Sequence, residues 1–291
     1  MPKALYPNET VRLLHERASV RQFADRRIEP EVLQTLLEAG IHAPTGGMQP
    51  YSIIKIDSDE TKQRIFELDG CGQKQIINAP VDLLFCIDMH RNERWANLRV
   101  APFTATSSFE EWWISFQDTA ICAQSICIAA DALGLGSVYI GTVYWYFREL
   151  RELFKLPRGV FPVVLLCLGY PREARPKPRA KLGTGVVVHD GVYRELADNE
   201  LLAAMDRKHG GRTEPTEKRT EAIRRVCRRV GGAELEQRCL DEISRAGYIN
   251  AVQCIYGLAY CADKGVENNR RYLELLEEAG FGWHKDYELC E

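Results

Sequence analysis

Apolar and polar residues follow two different periods along the chain, and each period predicts its own kind of element. Apolar residues three or four positions apart predict a first helix that Asn8 caps. They predict a second helix that opens at Pro30 and that Gly40 would end. Further helices are predicted from an Asp59 cap to about Gly70, over 109–133 and over 147–154.

Short apolar runs predict four strands, at 51–56, 82–87, 137–140 and 162–168. Residues 91–108 follow neither period and are predicted to be irregular. Strands and helices alternate along the chain, and their connections are both short and long. This order predicts an α+β fold, or the three-layer form of an α/β fold.

The composition changes after about residue 198. Residues 207–229 carry nine basic and three acidic residues, and 209–216 contain the Gly, Thr and Pro typical of a linker. Three or four helices are predicted beyond it. We therefore expect one domain over 1–205 and a helical extension over 206–291. The basic run is typical of a solvated helix face, because it lacks the interleaved aromatic residues of a nucleic-acid-binding module.

Length, charge and cysteine usage narrow the class of protein. The chain has 291 residues, 45% of them hydrophobic, and a formal net charge of −3, so nothing global indicates nucleic acid or a membrane surface. No apolar run approaches the roughly 18 residues of a membrane helix, and the N-terminus lacks a signal-peptide core. The ten cysteines contain no Cys-x-x-Cys, so no metal site is predicted. Free thiols indicate a reducing compartment, and we expect the cytoplasm.

Two guanidiniums and a hydroxyl recur at alternate positions after the first helix, at Arg17, Ser19 and Arg21. In an extended segment these side chains would point to one side, where a single anion could receive all three. Arginine suits phosphate because its planar fork donates two hydrogen bonds at once. The alternative is an ordinary solvated loop.

A second basic pair, Lys177 and Arg179, follows the last predicted strand. The alternating prolines at 176 and 178 favour an extended chain, so both side chains would point the same way. Together with the first motif they would place four positive groups around one phosphate. That is more than a solvated face needs, although a basic surface loop is the alternative.

The pattern Arg-x-Ser-x-Arg-x-Phe resembles the FMN-binding signature of the nitroreductase family of flavoenzymes, and the resemblance covers about residues 8–197. Residues 43–51 resemble the loop that lines the flavin ring in that family, here one residue short and without the usual Asn. The contacts would come from Pro44, Thr45 and Gln49. Residues 185–189 and Tyr193 resemble the strand and tail that close the family's fold.

Residues 132–142 resemble the family segment that lies against the isoalloxazine ring. Their Gly-x-Gly does not indicate a dinucleotide fold, because here the turn follows a helix and precedes a strand. By resemblance, Tyr139 and Ile140 would pack on the ring, and a backbone N–H of Gly141 or Thr142 would point at the flavin N5. A glycine lets the backbone approach a flat ligand closely.

The resemblance implies a mixed sheet wrapped by helices and a homodimer with FMN at the subunit interface. Hydride from NADH or NADPH would pass through N5 to a small-molecule acceptor such as a nitroaromatic or a quinone. No side chain is predicted to be catalytic, because the cofactor performs the chemistry. The shortened loop favours a second possibility, a flavin carrier or sensor without turnover. A third is an interaction protein that acts through its C-terminal helices.

A segment rich in aromatic residues has three possible roles. Its side chains would cover the cofactor pocket, belong to the core or form a dimer interface. Its members are Trp95, Phe103, Phe109, Trp112 and Trp113.

Overall fold

The computed structural model describes residues 6–285 and residue 289. Its strands are β1 (Tyr51–Ile56), β2 (Val81–Asp88), β3 (Gly136–Ile140) and β4 (Val160–Gly169). The helices of the N-terminal part are α1 (Glu9–Glu16), α2 (Pro30–Ile41), α3 (Asp59–Asp69), α4 (Gln75–Asn78), α5 (Met89–Arg99), α6 (Phe109–Ala132) and α7 (Phe147–Phe154). The later helices are α8 (Thr184–Val187), α9 (Asp198–His209), α10 (Glu217–Ala246), α11 (Ala251–Cys254) and α12 (Ala262–Glu278).

The four strands form one sheet in the order β1-β2-β4-β3. Each of its three pairings is antiparallel, whereas the family resemblance implied a mixed sheet. Tyr51 pairs with Ile87 at one end of β2, and Val81 pairs with Leu168 at the other. β1 and β3 are the two edge strands.

Side chains on the two faces of the sheet meet different helices. Leu83 and Phe85 lie two residues apart and pack with Leu36 of α2 and with α6. Asp82, one position away, points to the opposite face, where Lys62 of α3 approaches it. Helices therefore cover both faces, and the predicted α+β class in its three-layer form is confirmed.

The segment predicted to be irregular is largely helical, and the prediction was wrong there. Asp88 accepts a hydrogen bond from the backbone N–H of Arg91 at 2.9 Å and so caps α5. Only Met89 and Asn92 of this helix are buried. Because so little of the helix faces the core, its sequence shows no apolar period.

Three smaller predictions are corrected by the structure. Ser58, rather than Asp59, caps α3. Gly40 does not end α2 but lies inside its last turn, where a Cβ would meet a side-chain atom of Ile126 at 2.6 Å. The strand expected at 185–189 is instead the short helix α8.

The described residues up to Pro178, with those from Glu274 onward, form one compact unit, and Arg179–Leu273 form a second. In the second unit α10 breaks at Gly231 and Gly232, and Arg228 donates to Glu236 across the break at 3.0 Å. The two halves pack against one apolar cluster of Ile223, Ile243 and Ile249. The division predicted after residue 205 stays a prediction.

Candidate functional site

The first basic motif lies along the ends of β3 and β4. The backbone N–H of Val20 donates to Ser137 O at 3.0 Å, and that of Ala24 donates to Tyr170 O at 2.8 Å. Val20 and Phe23 are both buried, whereas Arg21 between them is exposed. Buried positions three apart show that strict alternation fails between positions 20 and 23. The common face predicted for Arg17, Ser19 and Arg21 stays a prediction.

Arg17 is half-buried, and one edge of its guanidinium faces α6. Its Nε and Nη2 lie 3.0 and 2.6 Å from the Sγ of Cys127, and Nη2 lies 3.4 Å from the hydroxyl of Ser137. Nε is also 3.6 Å from a carboxylate oxygen of Asp131. Nη1 has no hydrogen-bond partner within the described part of the chain. The two N–H groups of Nη1 are therefore available to a ligand.

Burial would lower the pKa of Arg17, but Cys127 and Asp131 together raise it above the ordinary value. The guanidinium thus stays charged. Ser19 is half-buried, and Arg21 reaches only its carbonyl oxygen at 3.5 Å. Lys177 is exposed and has no ion-pair partner in residues 6–285, while the exposed Arg179 belongs to the second compact unit.

The end of β3 presents an open stretch of backbone. Gly141 is exposed, and a Cβ built on it would meet no atom within 4 Å. The backbone N–H groups of Gly141 and Thr142 donate to no atom of the described chain. Tyr139 is half-buried on the α6 face, where its hydroxyl donates to Gln124 at 3.3 Å. Ile140 points to the other face and is 1% exposed, so only its backbone can meet a ligand.

Asp69 and Gln73 contact this stretch and were not predicted from the sequence. The hydroxyl of Thr142 donates to Asp69 at 2.6 Å, and the amide of Gln73 donates to both, at 3.0 Å to Asp69 and 3.2 Å to Thr142. Asp69 also accepts from the backbone N–H of Cys71 at 3.2 Å. Its only sequence signal was a glycine-rich turn after α3, which carries no information on a partner some seventy residues away.

The predicted flavin loop lies over the middle of α6. The backbone N–H of Gly46 donates to Asp118 at 2.9 Å. The amide nitrogen of Gln49 donates to Ile41 O at 3.0 Å and to the Tyr51 hydroxyl at 3.2 Å, so only its amide oxygen remains for a ligand. Pro44 is exposed and Thr45 is half-buried. This loop precedes edge strand β1, whereas Gly141 and Thr142 follow the opposite edge strand β3.

Comparison with known proteins decides the family. A model of the nitroreductase family matches residues 14–170. The chain belongs to the nitroreductase family. It is 32% identical over 198 residues to an oxygen-insensitive NADPH nitroreductase of Salmonella typhimurium, covering 68% of this chain and 79% of the relative. It is 33% identical over 215 residues to an FMN reductase [NAD(P)H] of Bacillus subtilis, covering 73% and 85%.

The structural likeness extends beyond the residues that the family model matches. The NADPH:FMN oxidoreductase of Vibrio harveyi, solved in complex with NAD+, superimposes with a TM-score of 0.70 at 25% identity. The alignment covers 94% of this nitroreductase-family chain and 99% of the other. The uncovered 6% is much shorter than residues 206–291, so most of the C-terminal segment has a counterpart there.

The flavin loop of this nitroreductase-family chain also borders a cavity of about 590 Å³. Asn92 and Asp118 line it and are 6% and 5% exposed, and the amide oxygen of Asn92 has no hydrogen-bond partner among the described residues. Burial raises the pKa of Asp118, against the effect of the Gly46 hydrogen bond. Met48, Trp95 and Ile114 supply apolar walls. The described helices include none long and apolar enough to cross a membrane.

Proposed function

We propose that this chain is an FMN-dependent oxidoreductase that uses NADH or NADPH to reduce a small-molecule acceptor such as a nitroaromatic or a quinone. Family membership supports this proposal, as do the NADPH nitroreductase and the FMN reductase among its relatives. The observation that carries it is the open end of β3. There, Gly141 exposes free backbone donors, and the half-buried Arg17 segment contacts the same strand at its other end, at Ser137.

The residues present fit FMN. When bound, this cofactor supplies hydride transfer at its N5 atom. We assign the phosphate to Arg17, Ser19, Arg21 and Lys177, which offer three positive charges and a hydroxyl. The contact expected from Arg179 stays a prediction. The exposed Arg21 and Lys177 form no ion pair with other described residues, so neither has to give up a partner for a phosphate.

The chain's own groups position the reacting atoms rather than react. We assign the N–H of Gly141 or Thr142 to N5, where a fixed donor stabilises developing charge without reorganisation. Asp69 and Gln73 hold the Thr142 side chain, so they fix the backbone that carries this donor. Tyr139 and the backbone of Ile140 would border the ring.

We further propose a homodimer in which the 44–49 loop of a second copy completes the flavin site. Pro44, Thr45 and Gln49 precede one edge strand, and Gly141 and Thr142 follow the other. Three gaps of about 4.8 Å each separate these strands, roughly 14 Å in all. Exposed apolar side chains on α6 suit an interface between copies. They are Phe109, Trp113, Ile114, Phe116 and Ile121.

A cytoplasmic location is part of the proposal. Its support is that the nine cysteines among the described residues are all free thiols, as expected in a reducing compartment. Cys290, the tenth cysteine of the sequence, lies outside the described residues.

The visible spectrum of the purified protein tests the proposal, recorded anaerobically before and after addition of NADH or NADPH. We expect flavin bands that bleach on reduction. Bands that persist would favour a carrier or sensor, and a colourless protein that takes up no added FMN would refute the assignment. Arg17→Ala should release FMN more readily. Arg12→Ala is the matched control, because Arg12 is exposed on α1 and pairs with Glu9 and Glu16.

A further inference from the structure

Asp131, the residue before the last of α6, lies between the two basic segments of the proposed phosphate site. Its side chain is 3% exposed. On one side, a carboxylate oxygen is 3.6 Å from Nε of Arg17. On the other, Arg175 donates to the second carboxylate oxygen at 2.5 Å. One buried carboxylate therefore contacts an arginine from each segment.

Arg175 differs from Arg21 and Lys177 because its guanidinium already makes three hydrogen bonds to other residues of the chain. Its Nη2 donates to the backbone oxygen of Asp131, in the last turn of α6, at 3.3 Å and to that of Leu135, just before β3, at 2.5 Å. It thus ties the segment that leads to Lys177 to the same turn that leads into β3. Arg175 and Lys177 are two residues apart, so the position of the first constrains where the second can reach.

Charge balance explains why a carboxylate should occupy this place. Without it, two guanidiniums would face each other in a partly buried environment, where like charges repel strongly. Burial raises the pKa of Asp131, while Arg175 and Arg17 act against that rise. Cys127 accepts from Nε and Nη2 of Arg17, whereas the nearer oxygen of Asp131 lies 3.6 Å from Nε and has no hydrogen-bond partner among the described residues. Asp131 therefore acts on Arg17 through its charge. That charge favours the orientation in which the Nε edge of the guanidinium faces α6.

We infer that Asp131 is a positioning residue for the FMN phosphate, acting through Arg17 and, by way of Arg175, through the segment that carries Lys177. This inference rests on the proposed function. Its consequence is selective: Asp131 should matter for a flavin that carries a phosphate and not for one that lacks it. A carboxylate with a merely structural role would affect both flavins alike.

The test compares FMN with riboflavin on the flavin-free protein, with flavin fluorescence as the readout. Asp131→Asn removes the charge at nearly constant shape. We expect it to weaken FMN binding about tenfold or more, the usual scale for a charge-assisted hydrogen bond such as the one that Arg175 donates to Asp131, and to change riboflavin binding less than twofold. Asp82→Asn is the matched control, since Asp82 is a buried aspartate that faces Lys62 on the other face of the sheet. It should change neither affinity.

A double variant tests whether Asp131 acts through Arg17. If it does, Arg17→Ala combined with Asp131→Asn should bind FMN little worse than Arg17→Ala alone, because coupled residues are not additive. Additive losses would show that Asp131 acts independently of Arg17 and would overturn the inference.

The remaining outcomes are equally decisive. FMN affinity that is unchanged or higher in Asp131→Asn would refute positioning, as would equal losses for both flavins. Wild-type protein that binds neither flavin would instead refute the proposed function itself. If Asp131→Asn does not fold, Arg175→Lys replaces it, because lysine keeps the charge but cannot contact both Asp131 and Leu135. It should weaken FMN binding several-fold and spare riboflavin, and any other result would count against the inference.

Discussion

Gly136→Ala should both destabilise the protein and disturb the proposed phosphate site. Gly136 begins β3 where the Arg17–Arg21 segment crosses it. A Cβ at position 136 would lie 2.5 Å from Cγ2 and 2.6 Å from Cβ of Val20. Val20 is 3% exposed, so it has little room to move aside. The segment that carries Arg17 must therefore shift away from the strand.

The expected cost can be estimated from three contributions. Forcing an extra methyl group into a packed site costs about 1 to 3 kcal/mol. The shift also threatens the 3.0 Å hydrogen bond from Val20 N to Ser137 O, worth about 1 kcal/mol. Replacing glycine with alanine returns about 0.4 to 1 kcal/mol by restricting the unfolded chain. The free energy of unfolding should therefore fall by about 1 to 3 kcal/mol.

Urea unfolding followed by tryptophan fluorescence measures this fall. All five tryptophans belong to the first compact unit, so the signal reports on the unit that contains Gly136. Gly141→Ala is the matched control, because a Cβ at Gly141 meets no atom within 4 Å. Its stability should stay within about 0.5 kcal/mol of wild type. A Gly136→Ala protein as stable as this control would refute the close-packing argument.

Gly141→Ala should nevertheless weaken the binding of FMN and riboflavin alike, because the added methyl group projects where the ring would lie; unchanged titrations with both flavins would contradict this. Burial raises the pKa of Asp82 well above its ordinary value, so the folded protein keeps a proton that the unfolded chain releases. Its free energy of unfolding should therefore fall as pH rises above about 4, and Asp82→Asn should reduce that fall, as urea titrations at several pH values would show. Gly232→Ala should destabilise the second unit by about 1 to 3 kcal/mol, measured by circular dichroism, because φ 69° and ψ −165° suit only glycine.

The sequence was most informative where burial is continuous. All eight residues of β2 are buried, and the predicted strand 82–87 differs from it by one residue at each end. The predicted strand 51–56 coincides with β1. By contrast, α5 was missed because the core receives only two of its residues. A local apolar pattern reports on how much of an element is buried, and a weakly buried helix therefore leaves no periodic trace.

The polar residues of the site show a different limit. Arg17 and Thr142 could be selected from local motifs, but Asp69, Gln73 and Asp131 could not, because their contacts join residues far apart in the chain. Arg17 reaches Cys127 across 110 positions, and Arg175 reaches Asp131 across 44. Such partners have no spacing rule that a single sequence could display.

The geometry of Arg17 explains why several cations are needed at one phosphate. The sequence led us to expect a guanidinium that offers its full planar fork. In the structure, Cys127 accepts from Nε and Nη2 and Asp131 lies 3.6 Å from Nε, which leaves Nη1 without a hydrogen-bond partner among the described residues. One guanidinium carries a single positive charge and cannot neutralise a dianion, so the proposed site must draw further charge from Arg21 and Lys177. The proposed phosphate site therefore combines cations from more than one segment of the chain.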